Sequence, residues 1–384
     1  MTTFRVLPGR TIGILGGGQL GRMMALSAKA MGYRIAVLEP KTGSPLGQIA
    51  DMEVVAAYDD IDGARQLDDV SDVITYEFEN IGANVAAWLE STDSFPQGSR
   101  LLEISQDRLK EKQAITEAGI NVAPYAPVTS LDELKTAAHT LDYPCILKTT
   151  RGGYDGKGQL VIHGADELDR AWEELGSSGP LVLEKMIAFS KELSVIFSRS
   201  TAGEMRAFPV AENVHRDGIL HQSIVPARIS VETERKAVAA ARRLVKAFGL
   251  VGTLAVEMFL TEDGTIYVNE IAPRPHNSGH FTMNACETSQ FEQHIRAVCG
   301  LPLGKTDLLK PCVMVNILGE HLPRILDGLD EFPEAHLHLY GKDAAEPGRK
   351  MGHLNVTGSD PEAVLEQIRT SSIWREKEAM GAKQ

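Results

Sequence analysis

Two strand-like runs, Leu254–Leu260 and Thr265–Ile271, flank a polar turn that contains Asp263-Gly264. An Asp-Gly pair favours a two-residue type I′ hairpin loop. That loop fixes the register and sets Glu257 directly across from Glu270, with Phe259 across from Val268. Opposed side chains in a hairpin stand about 5 Å apart, where like charges destabilise the sheet. Two solvated acids would be the plain alternative. The same face, however, carries Ala255, Phe259, Ile266 and Val268 and reads as half-buried. A hard cation held between the carboxylates, Mg²⁺ above all, accounts better for acids on such a face. Strict alternation sends Asn269 to the opposite face, away from the carboxylates.

The second strand runs on into APRPHNSGH, which brings Arg274, His276, Asn277, Ser278 and His280 close behind Glu270 as an anion-binding loop. Upstream, RGGYDGKGQ (Arg151 to Gln159) lies between the apolar strands Cys145–Lys148 and Leu160–His163. Its four glycines in nine residues describe a mobile hairpin able to fold over phosphates with its amides as donors. Arg151, Lys157 and Lys148 add positive charge, and the P-loop spacing is absent. An ordinary flexible hairpin is the alternative. The apolar run Leu181–Ile187, broken by Glu184 and Lys185, suits an adenine crevice, a weak signal by itself. Carboxylates, glycine loop and lysines together describe ATP-dependent phosphoryl transfer.

Residues 11–40 read as a βαβ unit with glycines at 16, 18 and 21 and an acid, Glu39, at the end of the second strand. This pattern fits a dinucleotide site or tight strand-to-helix packing, and both readings stay open. A later strand, Val73–Tyr76, ends in TYEFENI and places Glu77 and Glu79 at the carboxyl edge of a parallel sheet, where ligands bind. Ser105–Ala118 reads as one charged helix capped by Ser105. The formal charge of −13 argues against general binding to nucleic acid or anionic membranes. Four scattered cysteines (145, 286, 299 and 312) suggest reduced cytosolic thiols and no zinc site. No apolar run approaches the ~18 residues of a membrane span, and the N-terminus lacks a signal-peptide core.

RGGYDGKGQ, LEKMI, VEMF and YVNEIAPRPHNSGH resemble the ATP-grasp superfamily. More narrowly, GGGQLG, TYEFENI, APRPHNSGH and KMGHLNV are similar to the N5-carboxyaminoimidazole ribonucleotide synthetases of bacterial purine biosynthesis, from about Arg10 to Ile373. The resemblance implies an α/β and α+β chain of three domains: a Rossmann-like substrate-binding domain over 1–103, an ATP-grasp domain over 104–305 with a lid module near 121–187, and a small β-rich domain over 306–384. It implies a cytoplasmic, homodimeric ligase that uses ATP, Mg²⁺ and bicarbonate to carboxylate 5-aminoimidazole ribonucleotide, through carboxyphosphate.

The residues carried over are these. Arg108 and Lys148 would contact ATP phosphates, and Gly153, Tyr154, Asp155, Gly156, Lys157, Gly158 and Gln159 would form the lid. Tyr154 and Asp155 would also face the imidazole. Glu184, Lys185, Met186 and Ile187 would hold adenine, Glu192 the ribose, and His215 would lie near the nucleotide. Glu257 and Glu270 would bind the metal, with the backbone of Asn269 near the nucleotide. Arg274, His276 and Asn277 would hold bicarbonate and the developing carboxyphosphate. Gly18, Gln19, Leu20 and Glu77 would meet the ribonucleotide, and Arg349 and Lys350 its phosphate. On this reading GGGQLG serves a ribonucleotide and not NAD. One departure stands out: ATP-grasp enzymes often place Asn two residues after the second Glu, and Ala272 holds that place here. An NAD-dependent dehydrogenase would leave the Glu257–Glu270 pair unexplained. Two further candidates are a different ATP-grasp ligase, acting for instance on glycinamide ribonucleotide, and a nucleotide-binding regulatory protein with a dead site.

Overall fold

The structure is a computed structural model that describes residues 4–153 and 157–374. Its strands form three sheets. The first is parallel, in the order Met52–Val54, Arg34–Leu38, Thr11–Leu15, Val73–Tyr76. Thr11–Leu15 and Val73–Tyr76 are buried along their whole length, as the continuous apolar runs of a parallel sheet require. The helix Gln19–Ala30 leaves the glycine turn and buries Leu20, Met23, Met24 and Ala28 in one core with Phe291, Ile295 and Val298 of the helix Gln290–Val298. That shared core joins the N-terminal sheet to the centre of the protein.

The second sheet is antiparallel, in the order Tyr125–Val128, Leu181–Lys185, Cys145–Thr149, Gln159–Ile162. Helices Leu131–Leu141 and Leu168–Leu175 cover one face through Leu134, Ala138, Leu168 and Ala171. This is the small module expected to carry the glycine loop.

The third sheet has nine strands. It runs Ile266–Ala272, Gly252–Leu260, Lys191–Arg199, Ala211–Arg216, Ile219–Val225, Cys312–Leu318, Lys350–Thr357, His336–Leu339, and Met205–Ala207 pairs with Lys191–Arg199. Strand Cys312–Leu318 pairs with Ile219–Val225, so the C-terminal strands extend the sheet that carries the carboxylates. Helix Pro361–Thr370 packs over Val313, Val315 and Ile317 on one face of this extension. No helix among the described residues is long and apolar enough to cross a membrane.

The charged helix expected over Ser105–Ala118 is two helices, Arg100–Ser105 and Arg108–Glu117. Asp107 caps the second by accepting from the N–H groups of Leu109 and Lys110 at 3.1 and 3.3 Å. Ser105 instead ends the first helix, and its hydroxyl donates to the Leu101 carbonyl at 2.8 Å.

The hairpin departs from the expected geometry twice. Thr261 N–H donates to the Thr265 carbonyl, so the loop is Glu262-Asp263-Gly264, with Gly264 at φ +81°. A three-residue loop with glycine in the left-handed region replaces the two-residue turn. Pairing near the tip therefore shifts by one residue, to Phe259 opposite Tyr267 and Met258 opposite Val268. A β-bulge between Glu257 and Met258 then takes up Asn269 and restores Glu257 opposite Glu270. Ile266 and Val268 consequently join Met258 in the core behind the sheet and do not share the carboxylate face, contrary to the sequence reading.

Candidate active site

One cavity of about 640 Å³ draws its walls from all three sheets. Gln19, Leu20 and Glu77 enter from the N-terminal sheet. Lys148, Gly153, Lys157 and Gln159 come from the small module. Glu192, His215, Glu257, Asn269, Glu270, Arg274, His276, Asn277 and Lys350 come from the large sheet and its loops. Tyr154, Asp155 and Gly156 lie outside the described residues.

The paired carboxylates form one wall. Burial, then the charge of Glu270 across the strand pair, pushes the Glu257 carboxyl up to about 7. Two neighbours stand off loosely: the Arg108 guanidinium, Nη1 3.5 Å from Glu270 Oε2, and the His276 ring, Nδ1 3.5 Å from Glu257 Oε1. A third acid was missed. Glu111 is buried, accepts the Ile271 N–H at 2.7 Å, and is raised to about 8 by burial and then by Glu270. Asn269 lines this same cavity, because the bulge breaks the alternation that would have turned it away.

Behind Lys148 lies a buried charge cluster. Lys148 Nζ and Lys112 Nζ each stand 3.1 Å from Glu184 Oε2. Burial opposes the Glu184 charge, yet the two ammonium groups hold its carboxyl below the ordinary range. Burial lowers Lys148 in turn. Lys148 reaches the cavity, whereas Glu184, Lys185, Met186 and Ile187 are not among its lining residues. Lys185 Nζ turns to the Leu141 carbonyl at 2.9 Å. Gly158 also stands off the lining, and its carbonyl accepts from Thr149 N–H. Lys112 was not singled out in the sequence. It follows Arg108 by four positions and Glu111 by one, so all three belong to one face of the helix.

Beside the carboxylates, two residues along the same strand face from Glu257, the cavity is aromatic. Phe189 and Phe259 stack with centroids 4.7 Å apart and planes 8° from parallel, a flat apolar surface of the kind a purine covers. Phe189 was not singled out in the sequence, and Phe259 was expected on the carboxylate face only as an apolar neighbour. Nearby, Glu192 pairs with His215. Burial disfavours the imidazolium, but the hydrogen bond and charge of Glu192, with Glu257 behind, raise the His215 pKa above its ordinary value.

The loop after Glu270 is held on both sides. Arg274 Nε lies 2.8 Å from Glu79 Oε1, which ties it to the carboxyl edge of the parallel sheet. Gln290 clamps the His276 backbone, accepting its N–H at 2.9 Å and donating to its carbonyl at 2.7 Å. Burial, then Arg274 and Lys350, keep the His276 ring neutral, its pKa well below the ordinary value. Ser278 N–H donates to Nδ1 at 3.3 Å, which leaves the ring proton on Nε2. Asn277 forms a reciprocal amide pair with Asn316, a residue the sequence reading passed over. Lys350 lines the cavity; Arg349 does not, and its Nη1 donates to the Ala344 carbonyl at 2.9 Å.

The glycine turn differs from expectation. The helix N-terminus at GGGQLG meets the chain's own Glu77, which accepts from the N–H groups of Gly18 and, at 2.7 Å, Gly21. Burial still raises this carboxyl against those two bonds. Glu39, the expected ribose ligand of a dinucleotide, accepts from Gly17 N–H at 2.8 Å and from the Tyr58 hydroxyl. A Cβ on Gly18 would stand 2.5 Å from Glu77 Oε1, so glycine is needed here for the close approach of a carboxylate from within the fold. Gly18 itself does not line the cavity, while Gln19 and Leu20 do.

A small antiparallel module over a large sheet, with opposed carboxylates beneath a glycine loop, defines a ligase of the ATP-grasp class. Family models agree: the ATP-grasp domain matches residues 113–291, the ribonucleotide synthetase preATP-grasp domain 9–106, and the phosphoribosylaminoimidazole carboxylase C-terminal domain 312–367. The N5-carboxyaminoimidazole ribonucleotide synthase of Bacillus subtilis (strain 168) is 53% identical over 371 residues, 97% of either chain. An N5-carboxyaminoimidazole ribonucleotide synthetase solved as its ADP complex superposes with a TM-score of 0.95 at 55% identity, covering 97% of this chain and 99% of that one. The Aspergillus clavatus synthase, solved with ADP and 5-aminoimidazole ribonucleotide, superposes with a TM-score of 0.87 at 34% identity, covering 94% and 97%. The chain belongs to the N5-carboxyaminoimidazole ribonucleotide synthase family.

Proposed function

We propose that this enzyme couples ATP cleavage to the carboxylation of 5-aminoimidazole ribonucleotide by bicarbonate, giving N5-carboxyaminoimidazole ribonucleotide, ADP and phosphate in purine biosynthesis. The observation that carries the reading is Glu257 opposite Glu270 in one cavity with Arg274, His276 and Asn277. Phosphoryl donor and bicarbonate acceptor would thereby meet within a single loop's reach.

The donor set fits Mg²⁺. Glu257, Glu270 and the Asn269 amide offer only oxygen ligands at this wall, and two acids facing each other, with Arg108 and His276 held at 3.5 Å, call for a cation. Among the described residues no group of three His, Cys, Asp or Glu could enclose a metal by itself. When bound, the ion would neutralise charge on the transferring phosphate.

Arg108, Lys148 and Lys157 would position the polyphosphate, and the Phe189–Phe259 wall would receive the base. A bicarbonate oxygen attacks the γ-phosphorus and ADP departs, leaving carboxyphosphate. Arg274 and the Nε2–H of neutral His276 would stabilise the negative charge that develops on it. The amine of the ribonucleotide then attacks the carboxyl carbon, or CO₂ released from it, phosphate leaves, and the amine loses a proton. Lys350 would take the ribonucleotide's phosphate, with Gln19 and Leu20 beside the substrate. Arg349, directed elsewhere, has a weaker claim on that phosphate.

Four free, buried cysteines suit a reducing, cytoplasmic setting. The homodimer implied by the resemblance belongs to the same reading, and sedimentation velocity checks it. The main test is ADP release with ATP, bicarbonate or aminoimidazole ribonucleotide omitted in turn. Full turnover is expected only with all three and Mg²⁺. An undiminished rate without the ribonucleotide overturns the assignment.

A further inference from the structure

We propose that Asn316, on the strand Cys312–Leu318, is a positioning residue that fixes which way the Asn277 carboxamide faces and so presents an N–H of Asn277 to the bicarbonate. The inference rests on the placement of Asn277 at the bicarbonate given above.

In CVMVNIL a single polar side chain interrupts an apolar strand. Val313, Val315 and Ile317 face the helix Pro361–Thr370, while Cys312 and Met314 pack on the other face with Phe281 and Ala285. Asn316 is next along that second face, where the apolar contacts give way to the cavity wall. It is 1% exposed, so each of its polar atoms must find a partner within the fold.

The partners decide the orientation. Asn316 Nδ2 donates to the Leu220 carbonyl at 2.7 Å and to Asn277 Oδ1 at 2.7 Å. Its Oδ1 accepts from Asn277 Nδ2 at 2.9 Å. A backbone carbonyl can only accept, so Leu220 dictates where the Asn316 amino group lies. The reciprocal pair passes that constraint to Asn277. Turning the Asn277 amide over would set amino group against amino group and oxygen against oxygen. Asn277 thus keeps one engaged N–H, and its second N–H is left for a ligand of the cavity it lines. The strand is itself anchored there: Trp374 Nε1 donates to the Asn316 carbonyl at 3.3 Å, and Asn316 pairs with His353 on the adjacent strand. The C-terminal strands therefore supply, besides Lys350, the support that gives the bicarbonate loop its donor.

A double-mutant cycle tests this on the full-length enzyme. Asn316→Ala should lower kcat/KM for bicarbonate by about tenfold, the worth of one well-placed hydrogen bond, and leave the KM for ATP unchanged. In an Asn277→Ala background the same change should cost less than about twofold, because its target is gone. Equal losses in both backgrounds overturn the proposal. If Asn277→Ala alone leaves bicarbonate kinetics intact, the placement of Asn277 at the bicarbonate has failed instead. Asn316→Leu guards against an unstable alanine variant. Leucine keeps nearly the same shape on a strand face already shared with Met314, but can neither donate nor accept, so it should reproduce the bicarbonate-specific loss. Parental bicarbonate kinetics in that variant also overturn the proposal.

Discussion

Two pairs of acids stand at the ends or within the span of strands in this enzyme: Glu39 and Glu77 follow strand ends, Glu257 and Glu270 lie within strands, and their surroundings differ in kind. Glu39 and Glu77 receive backbone N–H groups from Gly17, Gly18 and Gly21 at the start of a helix. Glu257 and Glu270 face one another across a hairpin, with His276 and Arg108 each standing 3.5 Å off. A buried carboxylate supplied with backbone donors is complete without any ligand. A like-charged pair set face to face is costly until a cation arrives. Hydrogen-bond accounting, more than the glycine motif, therefore separates the self-contained site from the one that awaits a ligand.

The sharpest break between the two pairs is expected in turnover. Glu270→Gln should lower Mg²⁺-dependent ADP release by about a thousandfold or more, as loss of a metal and phosphate ligand does. Rates near the parent's would show that the hairpin pair holds no metal. Next in size is Arg274→Ala, expected to reduce kcat by about a hundredfold because its negative partner forms mainly during reaction. A rise confined to the bicarbonate KM would reduce Arg274 to a binding group.

Stability should separate the pairs in opposite senses. Glu77→Ala orphans two buried N–H groups and should cost about 1–3 kcal/mol in urea unfolding. Glu257→Ala relieves a like-charge contact and, without Mg²⁺, should be neutral or slightly stabilising at pH 8. Losses of equal size would erase the distinction. The smallest effect is a pH slope. Glu257 and Glu111 sit at about 7 and about 8, above the ordinary carboxylate value, so the folded protein holds protons that the unfolded chain has released. Their contribution is complete at low pH and fades as pH rises through 7 and 8. Tm should fall over that range, and Mg²⁺ with ADP should flatten the fall by favouring the ionised forms. A Tm that rises from pH 6 to 8.5 would contradict the raised values.

Much of this was legible in the chain because turn residues and alternating strands leave local marks. The Glu257–Glu270 pairing is as expected, although it arises from a three-residue loop and a bulge whose displacements cancel. The bulge left no mark, since it depends on Met258 and Val268 burying together in a core built by distant helices. Asn269 was misplaced for that reason. Glu111 and Lys112 were passed over because RLKEKQ reads as a solvated helix, and only the arrival of Ile271 and Glu184 buries it. Asn316 did leave a signal, one polar residue in an apolar strand. Glu77 was rightly placed at the cavity, but its bonds to the glycine turn could not be inferred from the order of residues.

The cancelling displacements in the hairpin have a consequence for anyone editing it. Removing one loop residue alone would shorten the turn to two residues and leave the Thr261–Thr265 closing pair, the distal register and the bulge in place. Removing Asn269 together with one loop residue would instead yield a regular hairpin with its two acids still opposed. That paired edit would separate the contribution of the carboxylates from that of the amide beside them, which no point substitution on either strand can do as cleanly.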